Sequence, residues 1–160
     1  MKKWVSVLLT VSLILALCIP VSASEAPLVL NDAGTYYLDD GSYIVVTVDT
    51  NTLQPMATTT KTYSTNVSYY DNTNTAKCTI RVTGTFSVNT GVSVQCTDVS
   101  TITYIHDSGY DISDIVKSTT GSGNTASAIA NANFVKKGFI FSNKTPVTVT
   151  VTCDKNGNLV

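Results

Sequence analysis

Apolar and polar residues alternate along several stretches of the chain. In residues 76–83 and 147–153 every second residue is apolar, and the residues between them are polar. An alternation of period two puts the apolar side chains on one face of a β-strand and the polar ones on the other. Both stretches therefore predict antiparallel strands with one buried and one wet face.

Shorter runs of the same kind extend this pattern. Residues 35–38 and 43–49 flank Asp39-Asp40-Gly41-Ser42, where Asp-Gly favours a tight hairpin turn. Residues 126–134 carry Ala at every second position before Phe134, which predicts a strand whose small inward side chains let an opposing sheet approach, although Ala also favours helix. Further strands are predicted at residues 62–70, 92–96 and 99–105, with a turn at 106–109.

Composition points to the same fold class. Thr, Val, Asn and Ser dominate, and strong helix formers are scarce outside the N-terminal segment. About seven to nine short strands at spacings of about 8 to 12 residues are typical of a sandwich. We therefore expect an all-β protein, with an antiparallel immunoglobulin-like β-sandwich as the first choice and a barrel as the second.

The N-terminal segment has the layout of a secretory signal peptide. Two lysines precede an apolar run over residues 5–19, Pro20 ends the run, and Val21-Ser22-Ala23 supplies small residues before Ser24. We expect cleavage between Ala23 and Ser24. The run is shorter than the about 20 residues that span a bilayer, which makes a retained anchor the weaker alternative. Lipidation at Cys18 is disfavoured by the bulky Leu17 before it.

These features divide the chain into three parts. Residues 1–23 form the signal peptide, residues 24–60 an N-terminal hairpin with a Thr-rich linker, and residues 61–160 the β-sandwich domain. We expect the protein to be secreted or associated with the cell surface, with no stable membrane span after cleavage.

The charge balance excludes one class of partner. The chain carries ten basic and eleven acidic residues, a formal net charge of −1. Removal of the two signal lysines leaves eight basic against eleven acidic residues, or −3. A nucleic-acid binder needs a basic footprint that this chain lacks. An unknown protein or glycan is the expected partner.

Three cysteines remain after the signal peptide, an odd number for an oxidising compartment. Cys96 and Cys153 each end an alternating Val run on its apolar face, which favours a disulfide between them. Cys78 would then be a buried free thiol, with an intermolecular bridge or a reactive nucleophile as alternatives. A pairing that includes Cys78 would overturn this assignment.

The chain resembles a group of small exported proteins of Gram-positive bacteria. The resemblance rests on the "VTGTF" strand within residues 78–86, the "CT" at 96–97, the "GN.A" loop at 123–126 and the final "VTVTVTC" strand at 147–153 followed by Asn-Gly. It covers about residues 61–160. These relatives are functionally uncharacterised, so the resemblance implies a sandwich and a Cys96–Cys153 bridge but no reaction. Where they carry an aromatic residue, this chain has Cys78.

Candidate chemistry is sparse. His106 lies beside Asp107 and Ser108, but neighbours in sequence do not make a catalytic triad, whose side chains must converge in space. A thiol enzyme using Cys78 with His106 lacks any local signature. We expect no catalytic residues and no cofactor. Oxygen-rich stretches that could hold calcium, but that also suit turns, are Asp107, Asp111 and Asp114, and Asp154, Asn156 and Asn158.

Eight tyrosines include the pairs Tyr36-Tyr37 and Tyr69-Tyr70. Adjacent residues of a strand face opposite sides, so one ring of each pair should enter the core and the other should be available for recognition. The leading hypothesis is an exported noncatalytic interaction or cell-envelope module. The alternatives are a secreted enzyme using His106 or Cys78 and a membrane-active secreted protein, the latter because alternating strands also build membrane barrels.

Overall fold

The computed structural model of the protein describes residues 26–51, 59–138 and 142–160. These ranges contain strands and turns but no helix. Accordingly, they hold no helix that is long and apolar enough to cross a membrane. The strands are β1 (Leu28–Leu30), β2 (Gly34–Tyr37), β3 (Tyr43–Asn51), β4 (Thr59–Tyr70), β5 (Ala76–Asn89), β6 (Ser93–Ile105), β7 (Tyr110–Thr120), β8 (Ser122–Gly123), β9 (Thr125–Lys136) and β10 (Asn143–Asp154).

Two sheets pack face to face. One has four strands in the order β1-β10-β9-β7, and the other has six in the order β2-β3-β4-β5-β6-β8. The prediction of an all-β, two-sheet protein is confirmed. Strands β2 to β6 are consecutive antiparallel neighbours, which is the order of a meander. The immunoglobulin-like arrangement is not confirmed by this order.

The core lies between the sheets and follows the alternation of the sequence. In β5 the inward residues from Cys78 to Val88 are buried while their neighbours are partly exposed, and β10 repeats this over Val147–Cys153. The predicted strand of small residues is confirmed in β9, where the four alternating alanines and Phe134 are buried. A Cβ added at Gly84 would lie 2.7 Å from the Cβ of Ala128, so the two sheets approach closely here.

A β-bulge divides β6 into two halves. Phe86 pairs with Cys96, whereas the preceding Thr85 pairs with Asp98, so Thr97 is the additional residue on β6. Since an added residue changes the alternation, Cys96 before the bulge and Val99 after it both point inward and are buried.

The N-terminal hairpin belongs to the larger sheet. Strand β3 pairs with β4 along its whole length, and Ile44 and Val46 join the common core. The expected domain boundary at residue 61 falls inside β4, which starts at Thr59. Residues 52–58 of the predicted linker, the signal peptide at 1–23 and its cleavage site at Ala23 and Ser24 lie outside the described residues.

The strand β1 was not predicted from the sequence. It pairs in parallel with β10, with Leu28 opposite Val147 and Leu30 opposite Val149. Leu30 is fully buried, so this short strand contributes directly to the core. Three residues are too few to show a period, which explains why the pattern did not reveal it.

Candidate binding surface

The residues of the His106 turn have separate partners. The Nε2 atom of His106 lies 3.1 Å from the Oγ1 of Thr79 on the outer face of the six-stranded sheet. The carboxylate of Asp107 accepts hydrogen bonds from the backbone N–H of Gly109 at 2.8 Å and from Lys77 Nζ at 3.0 Å, and these contacts lower its pKa. No hydrogen bond joins the Ser108 hydroxyl to His106 among the contacts of the described residues. The turn therefore does not assemble a nucleophile with a base.

The three described cysteines are free and buried, which corrects the predicted Cys96–Cys153 disulfide. The thiol of Cys96 donates to the backbone carbonyl of Asp98 at 3.4 Å, and that of Cys153 donates to the carbonyl of Asp154 at 3.4 Å. Alternation correctly put both thiols inside, but it does not bring two inward side chains of different sheets to bonding distance.

Burial also makes these thiols poor nucleophiles. It raises the pKa of Cys78 to about 12 and that of Cys153 to about 11, and it raises the pKa of Cys96 as well. Cys78 points into the core, whereas the neighbouring Thr79, which holds the ring of His106, points outward. Cys78 and His106 thus lie on opposite faces of the sheet, so the structure does not form a thiol–imidazole pair.

The acidic residues of the β6–β7 region each contact a different lysine. Asp107 contacts Lys77, Asp111 contacts Lys137 at 3.4 Å, and Asp114 contacts Lys144 at 2.9 Å. Hydrogen bonds from Lys144, Asn133 and Ser113 lower the pKa of Asp114 to about 2. Within the described ranges, no three His, Cys, Asp or Glu side chains are grouped so that they could hold a metal ion.

The second oxygen-rich stretch is a turn. The Asp154 carboxylate accepts hydrogen bonds from the backbone N–H of Asn156 at 2.9 Å and of Asn158 at 2.8 Å. Its oxygens are thus engaged by its own loop, as in a turn that an aspartate stabilises.

Three tyrosines form a row across the outer face of the six-stranded sheet. Strand register puts Tyr37 opposite Tyr43 and Tyr43 opposite Tyr70. The ring centroids of Tyr37 and Tyr43 are 5.8 Å apart, and those of Tyr43 and Tyr70 are 4.9 Å apart with ring planes only 3° from parallel. Tyr37, at the end of the row, is 80% exposed. We call these three residues the tyrosine row.

The two sequence pairs of tyrosines divide as predicted. Tyr69 is buried and its ring packs against Tyr110 and Phe134, whereas Tyr70 belongs to the outer row. Tyr36 packs against the core, whereas Tyr37 is exposed. The sequence did not show that the outward members of the two pairs would meet through Tyr43, because this depends on the register of three strands.

The rest of this outer face is a network of short polar side chains. Ser64 and Thr83 are joined by a hydrogen bond of 2.8 Å, and Ser68 and Thr79 by one of 2.9 Å. Farther along, the Arg81 guanidinium contacts the Asp49 carboxylate at 2.9 Å. The tyrosine row therefore adjoins a polar surface of the same sheet.

A cleft of about 910 Å³ opens at the end of the sandwich beside Tyr37. The hairpin turn with Asp39 and Asp40 forms one wall, and Lys136 and Lys144 belong to the other. The Ser42 hydroxyl donates a hydrogen bond to the Asp40 carboxylate, which lowers the pKa of Asp40. Because Tyr37 lines the cleft and also begins the row, the cleft and the row form one continuous surface.

Comparisons with known proteins found no match to a family model, to a curated protein or to a solved structure. The resemblance to exported proteins of Gram-positive bacteria thus stays an expectation from the sequence.

Proposed function

We propose that the protein is an exported, noncatalytic β-sandwich that binds a protein or glycan of the cell envelope through the tyrosine row. The layout of residues 1–23 supports export and a secreted or cell-surface location. The resemblance noted above favours a Gram-positive source. The immunoglobulin-like arrangement remains an expectation from the sequence alone.

The exposure of Tyr37, at the end of a row of adjoining rings on the outer face, is the observation that carries this proposal. Tyrosine offers a large apolar ring and a hydroxyl at little cost in conformational entropy, which is why it is enriched where proteins recognise partners. Tyr37 keeps four fifths of its surface in solvent although an apolar ring is favoured in the core. Tyr43 and Tyr70 stack beside it, so a partner would meet an ordered group of rings.

The distribution of reactive groups supports a noncatalytic role. The His106 imidazole lies on the outer face, whereas the Cys78 thiol is buried in the core. The carboxylates of Asp107, Asp111 and Asp114 each contact a different lysine. Catalysis by any of these groups needs a nucleophile, a base and a reacting atom in one place. The secreted-enzyme alternative therefore has less support than a binding role.

The decisive experiment measures binding of the purified protein to isolated cell walls and to immobilised glycoproteins. The variant Tyr37→Ala is expected to weaken binding by about tenfold, as at a hot-spot aromatic residue. The matched control is Thr47→Ala, an exposed residue on the outer face of the strand that carries Tyr43. It should leave binding unchanged.

Two outcomes would overturn the proposal. One is the failure of the unmodified protein to bind any of these polymers. The other is binding by a Tyr37→Ala, Tyr43→Ala, Tyr70→Ala variant that equals binding by the unmodified protein. Export is tested separately by N-terminal sequencing of the secreted product, which should begin at Ser24.

A further inference from the structure

The second half of β6 is an open sheet edge. Strand β6 pairs with β5 from Ser93 to Ile105, but on its other side only Val94 and Gln95 pair, with β8. From Ser100 to Ile105 no described strand is hydrogen-bonded to that side. The N–H and C=O groups on such an edge form a template for a further strand.

The side chains along this edge are uncharged and largely exposed. The sequence from Ser100 to Ile105 is Ser-Thr-Ile-Thr-Tyr-Ile, without a charge or a proline. Ile102, Tyr104 and Ile105 are 50%, 43% and 44% exposed. Three of the six side chains beside the unpaired backbone are therefore large, apolar or aromatic, and exposed.

The outermost strands β1, β2 and β7 have features that hinder pairing. On β7 the register shifts between Ser113 and Val116, Asp114 adopts a positive φ of 56°, and Lys117 follows. A bulge and charged side chains are common protections of edge strands. The edge strands β1 and β2 are only three and four residues long. From Ser100 to Ile105, β6 has no bulge, no charged side chain and no proline.

We propose that two copies of this chain associate by antiparallel pairing of β6 with β6, around a two-fold axis at Thr103. This register puts Ile102 of one copy opposite Tyr104 of the other, twice, and Thr103 opposite itself. Pairs of an aromatic with a β-branched residue are among the favourable cross-strand pairs. The segment is thus complementary to itself, as a two-fold interface requires.

The charges near this edge do not oppose pairing with a second copy. The nearest charged residues, Asp98 and Asp107, would fall opposite Ser108 and Val99, so no two like charges face each other in this register. The formal net charge of −3 that remains after removal of residues 1–23 adds only modest long-range repulsion between copies. Neither facing like charges nor strong long-range repulsion therefore opposes the pairing of two copies.

Such a dimer goes beyond the proposed binding function. The tyrosine row lies on β2, β3 and β4, away from the β6 edge, and remains free in the dimer. An axis perpendicular to the sheet keeps the outer faces of both copies on the same side. The joined sheet would present two tyrosine rows to one extended partner, which increases avidity.

Sedimentation velocity over a wide range of protein concentrations tests the dimer. The unmodified protein should show a monomer–dimer equilibrium, and Thr103→Lys should raise the dissociation constant by about tenfold or more, because it puts two ammonium groups opposite each other. The matched control is Thr35→Lys, which adds the same charge on the edge strand β2 of the same sheet and should leave the equilibrium unchanged.

Cross-linking tests the register. A Thr103→Cys variant should form a dimer under a mild oxidant, whereas Thr101→Cys, which lies opposite Ile105 of the other copy, should not. Circular dichroism checks that each variant is folded. A monomer at every concentration, equal effects of the two lysine variants, or preferential cross-linking at residue 101 would overturn the proposal. Because these measurements involve no ligand, they can fail while the binding function holds.

Discussion

The two faces of the six-stranded sheet are built from alternate residues of the same strands but serve different purposes. On the inner face of β5, Ile80, Val82 and Phe86 are fully buried against the smaller sheet. On the outer face, Arg81 and Thr83 remain partly accessible and bond to neighbouring polar side chains. The inner face should therefore determine stability, while the outer face can carry recognition without affecting the fold.

The largest difference in stability is expected between substitutions at two consecutive residues of β5. Phe86→Ala removes one of the largest fully buried side chains and should lower the free energy of unfolding by about 3–5 kcal/mol. Ser87→Ala on the outer face should change it by less than about 0.5 kcal/mol. Urea denaturation followed by circular dichroism measures both. Equal losses would contradict the assignment of the two faces.

The inner thiols offer a second test. Because burial raises the pKa of Cys78 to about 12, its thiolate fraction at pH 8 is expected to be about a thousandfold below that of an exposed cysteine. Iodoacetamide should label Cys78 slowly in the native protein and rapidly in urea. Peptide mapping should find Cys96 and Cys153 as thiols. A peptide pair lighter by two hydrogen atoms would show a disulfide and contradict the structure.

The close approach of the two sheets can be tested at Gly84. Gly84→Ala puts a methyl group against Ala128 and the Phe86 ring, and such overpacking typically costs about 1–3 kcal/mol. Combined with Ala128→Gly, which removes one of these contacts, the loss should be smaller than the sum of the two single losses. Thermodynamic cycles from urea denaturation measure this coupling. Additive losses would contradict a direct contact.

The smallest effect is expected on the outer face. The Arg81–Asp49 ion pair is partly exposed, and such pairs contribute about 0–1 kcal/mol. Arg81→Ala should thus change stability little, and added salt should reduce the difference further. A double-mutant cycle with Asp49→Ala measures the interaction. A coupling above about 2 kcal/mol would show that the outer face contributes more to stability than we expect.

Alternation was sufficient to predict the long strands because it is a local property. The alternation holds in β5 from Cys78 to Val88, in β9 from Ala126 to Phe134 and in β10 from Val147 to Cys153, and the buried sides were assigned correctly. Alternation could not predict features that depend on pairing with another part of the chain. The parallel partner of β1, the bulge at Thr97 and the continuity of the hairpin with β4 are set by strand pairing.

The tyrosine row shows the same limit of prediction from alternation. Alternation predicted one outward ring in each tyrosine pair, and Tyr37 and Tyr70 confirm it. It could not bring them together, because only the register of β2, β3 and β4 puts Tyr43 between them. The predicted Cys96–Cys153 disulfide was wrong for a related reason. Alternation shows that both thiols point inward, but it does not determine the distance between them.

The pairing of β1 with β10 also bears on when the protein can fold. The smaller sheet needs its first and last described strands side by side, so it stays incomplete until β10 is available. Contacts between distant parts of a chain form slowly and late. An exported chain, as we propose this one to be, would therefore complete its smaller sheet only once β10 has also crossed the membrane.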